Sequence, residues 1–406
     1  MEGARFNGEF SESDFQTVLS GKYPKAHEII AADHYDTLGE LIEMYLASPH
    51  RWGEKMAGEV KASLELLCQH FGKDIDIRRI TKREMRNFRD NILMKIPSGR
   101  NILEKYREMT LAQWLECKNA KKLAPRSINH NLMRISGLFT WCAQGEYIVS
   151  NPVSGLQLTI TGKASNERST YSTEELVKIF TLLREDKLNA WAPFKLWISL
   201  IMLYCGTRQN EACQFFTNNI VLSDGILCFD INECKETGAR VKNESSIRMA
   251  PIHPVLLKLG FLDYVLKRQD RRNRRNIPVQ LWPQLDYTPK DGYARRYRIF
   301  FEDFNRNYIT KDPKKSCYSL RHNFTDNLKQ QEIPEFIVSE LDGHSDGKRI
   351  TYIRYGKALN ADVKLKTMKK LNFGFDIFKV LGKKPLSDEM IQRQIAQLPK
   401  YGGERP

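Results

Sequence analysis

Four short segments in the second half of the chain hold residues able to bind an anionic group and to exchange protons. CGTRQNEACQ (205–214) sets Arg208 and Glu211 three residues apart. VKNESSIRMAPIHP (241–254) carries Lys242 in a polar turn ahead of a Pro-Ile-His-Pro ending. CYSLRHNFTDNL (317–328) centres on Arg321-His322, where Leu320, Phe324 and Leu328 begin a helical pattern. LDGHSDGKRITYIRYGK (341–357) places His344 directly after Gly343 and adds Tyr352 and Tyr355. Each part alone has an ordinary reading. An Arg-x-x-Glu spacing is a common helix-surface ion pair, a lysine in a polar turn is usually solvated, and a tyrosine on a helix usually packs. The specific feature is their combination and order: Arg208, Lys242, Arg321, His344, then a late tyrosine.

The overall charge points to the same kind of partner. The 406 residues include 64 Lys+Arg against 49 Asp+Glu, a net charge of +15, which attracts polyanions whatever the fold. Basic residues concentrate at Lys118–Lys122 with Arg126, at KRQDRRNRR (267–275) and at KDPKK (311–315), an arrangement suited to tracking phosphates. Lys121, Lys122 and Arg126 are the phosphate-contact candidates of the first half. Neither the eight cysteines nor the eight histidines cluster at metal-ligand spacing, and no C-x-x-C occurs, so reduced thiols in a cytoplasm and no metal are expected. The longest apolar stretch, Trp191 to Cys205, contains Lys195 and falls short of the roughly 20 residues a membrane span needs. The first ten residues, MEGARFNGEF, lack the basic head and apolar core of a secretory signal.

The elements that must position these residues read as two units. Residues 1–34 form a polar leader. Thr37 caps a helix with apolar residues at 38, 41, 42, 45 and 46, and Val60, Leu64, Leu67, Cys68 and Phe71 form a second stripe. Thr81-x-x-Glu84 is a capping box opening a helix through Leu93. After a Pro97-Ser-Gly break come a helix around 101–117 and a stripe of Ile128, Leu132, Ile135 and Phe139, stopped at Asn151-Pro152. Residues 35–157 are therefore an all-α unit. A polar linker, 158–170, precedes a second capping box, Ser172-x-x-Glu175. The second unit, 171–370, is α+β: a buried helix at 194–205, a turn at Gly206-Thr207 with a helix restarting near Arg208, strands at 226–232 and 246–252, and helices from 254 onward. Residues 371–406 form a tail with one amphipathic piece, SDEMIQRQIAQL. The fold class is mainly α with a small β-sheet.

The G-x-R-x-x-E, S-L-R-H and L-D-G-H-S contexts in this order resemble the tyrosine recombinases, the phage-integrase group of site-specific DNA recombinases. The resemblance spans roughly residues 35–370, with the first unit similar to the family's core-binding domain and the second to its catalytic domain. It implies that Arg208 and Arg321 hold a scissile phosphate, that Lys242 is the general acid, and that His344 assists as base or hydrogen-bond donor. Tyr355 is the implied nucleophile, from the Arg354-Tyr355-Gly356-Lys357 context, with Tyr352 as the alternative. Glu211 would orient Arg208, and His322 would bond within its own helix start. The sequence departs from the family pattern twice. Tyr318 stands three residues before the second arginine, where histidine is usual, and the position nine residues after the Gly-His histidine is Ile353. The implied activity is site-specific recombination or integration through a covalent 3′-phosphotyrosyl DNA intermediate, with no cofactor, metal or ATP. The implied partners are double-stranded DNA at a specific site, further copies of the chain (a tetramer in the synaptic complex) and accessory DNA-bending proteins, with no membrane and a nucleoid-associated cytoplasmic location. The alternatives are a catalytically impaired DNA-binding protein of the same fold and a type IB topoisomerase.

Overall fold

The computed structural model describes residues 36–50, 52–99, 103–160, 169–185, 192–270, 277–344 and 358–399. The chain forms two compact units, Met1–Thr161 and Gly162–Pro406. The leader 1–34 lies outside the described residues, as do 161–168 of the expected linker.

The first unit is helical because its apolar residues recur at helical spacing between good caps. Helix α1 (Leu38–Ala47) opens with a reciprocal capping box between Thr37 and Glu40 and buries Leu38, Leu41, Ile42 and Tyr45. Helix α2 (Glu54–Phe71) buries Val60, Leu64, Leu67 and Cys68 and stops at Gly72, whose φ is positive. Helix α3 (Lys82–Phe88) starts at Thr81, whose hydroxyl accepts the Glu84 N–H, and continues through a π turn at Arg89–Leu93. The span around 101–117, expected as one helix, is two short ones: α4 (Glu104–Arg107) and α5 (Leu111–Glu116). Thr110 and Gln113 form a capping box there, and an N-cap residue is not helical, which is what divides the span. Helix α6 (Pro125–Gln144) has proline at its first turn and buries Ile128, Leu132, Ile135, Phe139 and Cys142. Ser63 on α2 donates to Asn131 on α6 at 3.1 Å inside this apolar core. Leu158 remains tied to α6 through a two-way exchange with Asn129, its N–H donating at 2.8 Å and its carbonyl accepting at 2.9 Å.

The second unit begins with α7 (Thr173–Glu185), capped by the Ser172–Glu175 exchange expected for it. Helix α8 (Phe194–Cys205) is largely buried around its circumference, and α9 (Gln209–Cys213) follows after a short turn. A three-stranded antiparallel sheet comes next: β1 (Ile220–Ser223), β2 (Ile226–Ile231) and β3 (Arg248–Pro251), in that order. Strand β1 was not among the expected strands. Asp224-Gly225, with both φ angles positive, makes the tight hairpin that pairs Ser223 with Ile226. Helices α10 (Pro254–Lys258), α11 (Phe261–Asp270), α12 (Ala294–Phe304), α13 (Tyr318–Gln330), α14 (Glu335–Asp342) and α15 (Ala361–Met368) complete the layer around α8. Residues 371–399, expected as a tail, carry α16 (Ile377–Leu381) and α17 (Asp388–Ala396), and their Ile377, Leu381 and Ile391 belong to the unit's core. Among the described residues no helix is long and apolar enough to cross a membrane. All eight cysteines are free, six of them buried.

Candidate active site

The site grows from the end of α8. Its apolar run has to stop where the chain must turn, and Gly206 does this at φ +63°. A Cβ there would lie 2.5 Å from the Phe324 ring, so no other residue fits without moving the core. The turn delivers Arg208 to the N-cap of α9. Glu211, three residues on, accepts the Arg208 backbone N–H at 2.8 Å and its Nη1 at 2.7 Å. The Arg-x-x-Glu spacing is thus a buried ion pair in which the carboxylate alone accepts, rather than a surface pair, with Arg208 8% and Glu211 2% exposed.

A third charged residue, absent from the sequence-level candidates, completes this group. Arg248, the first residue of β3, grips the same carboxylate in a fork, Nη2 to Oε2 at 2.9 Å and Nη1 to Oε1 at 3.2 Å. Burial by itself would raise the Glu211 pKa. The charge and hydrogen bond of Arg248, followed by the hydrogen bonds of Arg208, overcome it and hold the carboxyl at about 2. The signal for Arg248 was present in the strand pattern: Arg248, Ala250 and Ile252 share the buried parity of β3 and its extension.

The last component is the C-terminus of α14. Gly343 adopts φ +63°, its N–H returns to the Glu340 carbonyl at 3.3 Å, and the His344 N–H returns to Ser339 at 2.9 Å. This is a Schellman ending, and it places His344 immediately beyond the helix. Such an end leaves carbonyls unpaired and carries partial negative charge. Three guanidiniums satisfy consecutive carbonyls: Arg248 Nε donates to Leu341 at 3.0 Å, Arg321 Nη2 to Asp342 at 2.5 Å, and Arg208 Nη2 to Gly343 at 2.7 Å. Arg321, on α13, also donates through Nη1 to the Gly206 carbonyl and lies 3.4 Å from the Asp342 carboxylate. Its Nη2 is 3.3 Å from Nε2 of His344. Partial desolvation lowers the His344 pKa; Asp342 opposes this, and Arg321, Arg208 and Arg248 reinforce it. The exposed edge of the site therefore carries a neutral imidazole at pH 7.

Tyr318 opens α13, one turn before Arg321, and is half-buried. Its pKa is raised, chiefly by burial, with Arg321 and Arg208 opposing, so the phenol keeps its proton. His322 follows Arg321 on the same helix and is half-buried. Lys242 is exposed in the connection between β2 and β3, and among the described residues no hydrogen bond or ion pair joins it to the cluster. Tyr352, Ile353 and Tyr355 lie outside the described residues. Past that segment, the Leu359 N–H donates to Glu340 on α14 at 2.8 Å, and Lys364 lies 3.4 Å from the same carboxylate. His253 caps α10, its Nδ1 accepting the Val255 N–H at 3.2 Å, and burial lowers its pKa to about 4, as suits a turn residue. Lys121, Lys122 and Arg126 lie in the first unit, in the connection into α6 and its first turn; Lys121 and Arg126 are exposed, and Lys122 donates to the Cys117 carbonyl at 2.7 Å.

No protein-family profile matches the chain, and no curated protein sequence matches it. Solved structures do. The Tn1549 transposon integrase in complex with a circular-intermediate DNA superposes with a TM-score of 0.52 at 13% identity, covering 81% of this chain and 99% of that one. The same integrase in complex with transposon right-end DNA gives 0.50 at 14% identity, over 83% and 99% of the two chains. The fold is that of the tyrosine recombinases. In this tyrosine recombinase fold, the order of helices around the three-stranded sheet sets the Arg208 turn, the Arg321 helix and the His344 turn side by side.

Proposed function

We propose that the chain is a site-specific DNA recombinase that cuts and rejoins strands through a tyrosine nucleophile. The observation that carries the reading is the convergence of Arg208 and Arg321 on the end of α14, beside His344. A phosphodiester repels a nucleophile, and paired guanidiniums offset its charge with planar, two-pronged donors that are always protonated. Arg208 and Arg321 would hold the two non-bridging oxygens and stabilise the extra charge of the five-coordinate transition state. Glu211 fixes the Arg208 fork.

The Tyr355 oxygen attacks phosphorus as the bond to the 5′-oxygen breaks, leaving a 3′-phosphotyrosine. A phenol ionises near pH 10, so the proton lost from Tyr355 needs an acceptor, and the neutral His344 imidazole can provide it. The departing 5′-oxygen takes a proton from Lys242. The phosphotyrosyl bond conserves the energy of the broken one, so rejoining needs neither ATP nor a cofactor, and the arginines supply the charge neutralisation. Two observations support this role for the tyrosine: the likeness of the fold to that of integrases, and the anchoring of both His344 and Leu359 at α14, on either side of the Tyr355 segment. Exchange between two duplexes requires four cleavages, which fits an assembly of four copies on double-stranded DNA. The reading extends to the Lys121, Lys122 and Arg126 surface, which would bind phosphates.

A second reading, a DNA-binding protein of the same fold with impaired cleavage, is favoured by Tyr318 alone. A phenol can donate to a phosphate oxygen but cannot be cationic as histidine can. One experiment separates the two. Nicked duplexes drawn from the DNA flanking the gene should trap a protein–DNA adduct that survives denaturation, and Tyr355→Phe should abolish it while binding persists. An adduct lost in Tyr352→Phe but kept in Tyr355→Phe transfers the role to Tyr352. Binding without any adduct establishes the second reading.

A further inference from the structure

Resting on that reading, we propose that Arg248 is a positioning residue: it takes up the charge of Glu211 so that Arg208 stays available to the phosphate, and it ties that carboxylate to the turn bearing His344. The donor inventory separates Arg248 from the other two arginines. Its Nε bonds Leu341, its Nη1 bonds Glu211 and the Ser246 carbonyl (2.9 Å), and its Nη2 bonds Glu211, so each nitrogen is engaged by protein. Among the described residues, by contrast, neither Nε of Arg208 nor Nε of Arg321 has a partner. Arg248 is thus built to hold protein, while the other two keep donors for something else.

The charge balance gives this arrangement its consequence. Three guanidiniums, of Arg208, Arg248 and Arg321, face two carboxylates, of Glu211 and Asp342. The cluster carries one surplus positive charge. Without Arg248 it is neutral, and Arg208, which now shares Glu211 with Arg248, is left as the one guanidinium neutralising that carboxylate. The geometry has a second effect. Arg248 bridges Glu211 on α9 to Leu341 at the end of α14, which keeps Arg208 and the His344 turn in register across 135 residues of chain. Gly343 leaves room for it: a Cβ there would lie 2.7 Å from Arg248 Nη1.

The test uses the full chain with inorganic phosphate as probe, binding being read from the His344 ring resonance so that only this site is counted. Arg248→Met should weaken phosphate by about tenfold, the effect of removing one charge near an anion in a partly screened site. Glu211→Gln/Arg248→Met restores the surplus charge and should return affinity to near the wild-type value. Arg248→Lys should keep phosphate affinity yet slow single-turnover cleavage about tenfold or more, because a lysine cannot span Glu211 and Leu341. Unchanged affinity in Arg248→Met, or a double variant as weak as the single, overturns the proposal. Should Arg248→Met fail to fold, the double variant is compared with Glu211→Gln: it must bind phosphate more weakly, and equal affinities overturn the proposal. Cleavage is scored separately. Phosphate affinities in the expected order without any adduct in the wild type would defeat the recombinase reading and leave the role of Arg248 in holding the anion site. Adduct formation with the affinity order broken would do the reverse.

Discussion

The two units solve different problems with different interiors. Among the described residues, the first unit buries no charged side chain, and Ser63 and Asn131 are its buried polar pair. The second buries Arg208, Glu211, Arg248, Arg321, Asp342 and Lys364. Isolated buried charges are costly, and they are tolerated here because each is paired with a group of opposite charge. An apolar helical unit needs only register and caps to present a basic surface. The phosphate site proposed for the second unit needs cations whose own positions are locked, and three arginines there are wired to one helix end.

The sharpest way to break this contrast is to alter a locked cation. Arg321→Lys keeps the charge but loses the planar grip on the Gly206 and Asp342 carbonyls, and with it the two-pronged hold proposed for the phosphate. Removing such a transition-state hydrogen bond costs about 3–4 kcal/mol, or roughly 10²–10³ in rate. Single-turnover cleavage should fall by that factor with DNA binding nearly intact. A rate near that of the wild type would mean that Arg321 serves the fold and not the phosphate.

Acid should separate the units next. Glu211 titrates at about 2 in the folded chain against 4.5 ordinarily, so its contribution is complete above pH 4.5 and is lost as the pH falls towards 2. His253 titrates at about 4 against 6.5. Above pH 6.5 it is neutral folded or unfolded and contributes nothing to the pH dependence. Below that the unfolded chain gains a proton that the native one refuses, so stability falls between pH 6.5 and 4. The loss by pH 4.5 is about 2–3 kcal/mol at one pKa unit per 1.4 kcal/mol. Urea unfolding of the full chain at pH 7 and pH 4.5 should show it, with a smaller drop in His253→Asn. Equal drops in both chains would remove His253 from the account.

The smallest effect concerns the first unit. Replacing Lys121, Lys122 and Arg126 by alanine should make the salt dependence of DNA binding shallower, by about 0.9 in log–log slope for each phosphate no longer neutralised. All sequences should weaken alike, and cleavage within bound complexes should continue at its normal rate. An unchanged slope would reduce that cluster to a solvated face.

The first unit was legible because its information is local. Thr37, Thr81 with Glu84 and the Ile128–Leu132–Ile135–Phe139 stripe each act within a few turns of chain. The split at Thr110 is equally local, but a threonine inside a span of helix-forming residues passes for helix interior until its cap with Gln113 is seen. In the second unit the local signals were equally plain at Ser172, Gly206 and Gly343, and the order of Arg208, Arg321 and His344 pointed to one site. The identity of what locks them was not legible. Arg248 meets Glu211 across 37 residues and Leu341 across 93, and no periodicity encodes a pairing at that separation. The parity of Arg248 with Ala250 and Ile252 signals that it is buried, yet not what it touches.

Attack by a tyrosine on a DNA phosphate is the reaction proposed for this cluster. Its most direct test is peptide mapping, by mass spectrometry, of the adduct formed by the wild-type chain on its nicked site. One DNA-linked peptide is expected, containing Tyr355, joined through the 3′-phosphate and leaving a free 5′-hydroxyl. A link through a 5′-phosphate, a link to a residue other than tyrosine, or no linked peptide at all would contradict it.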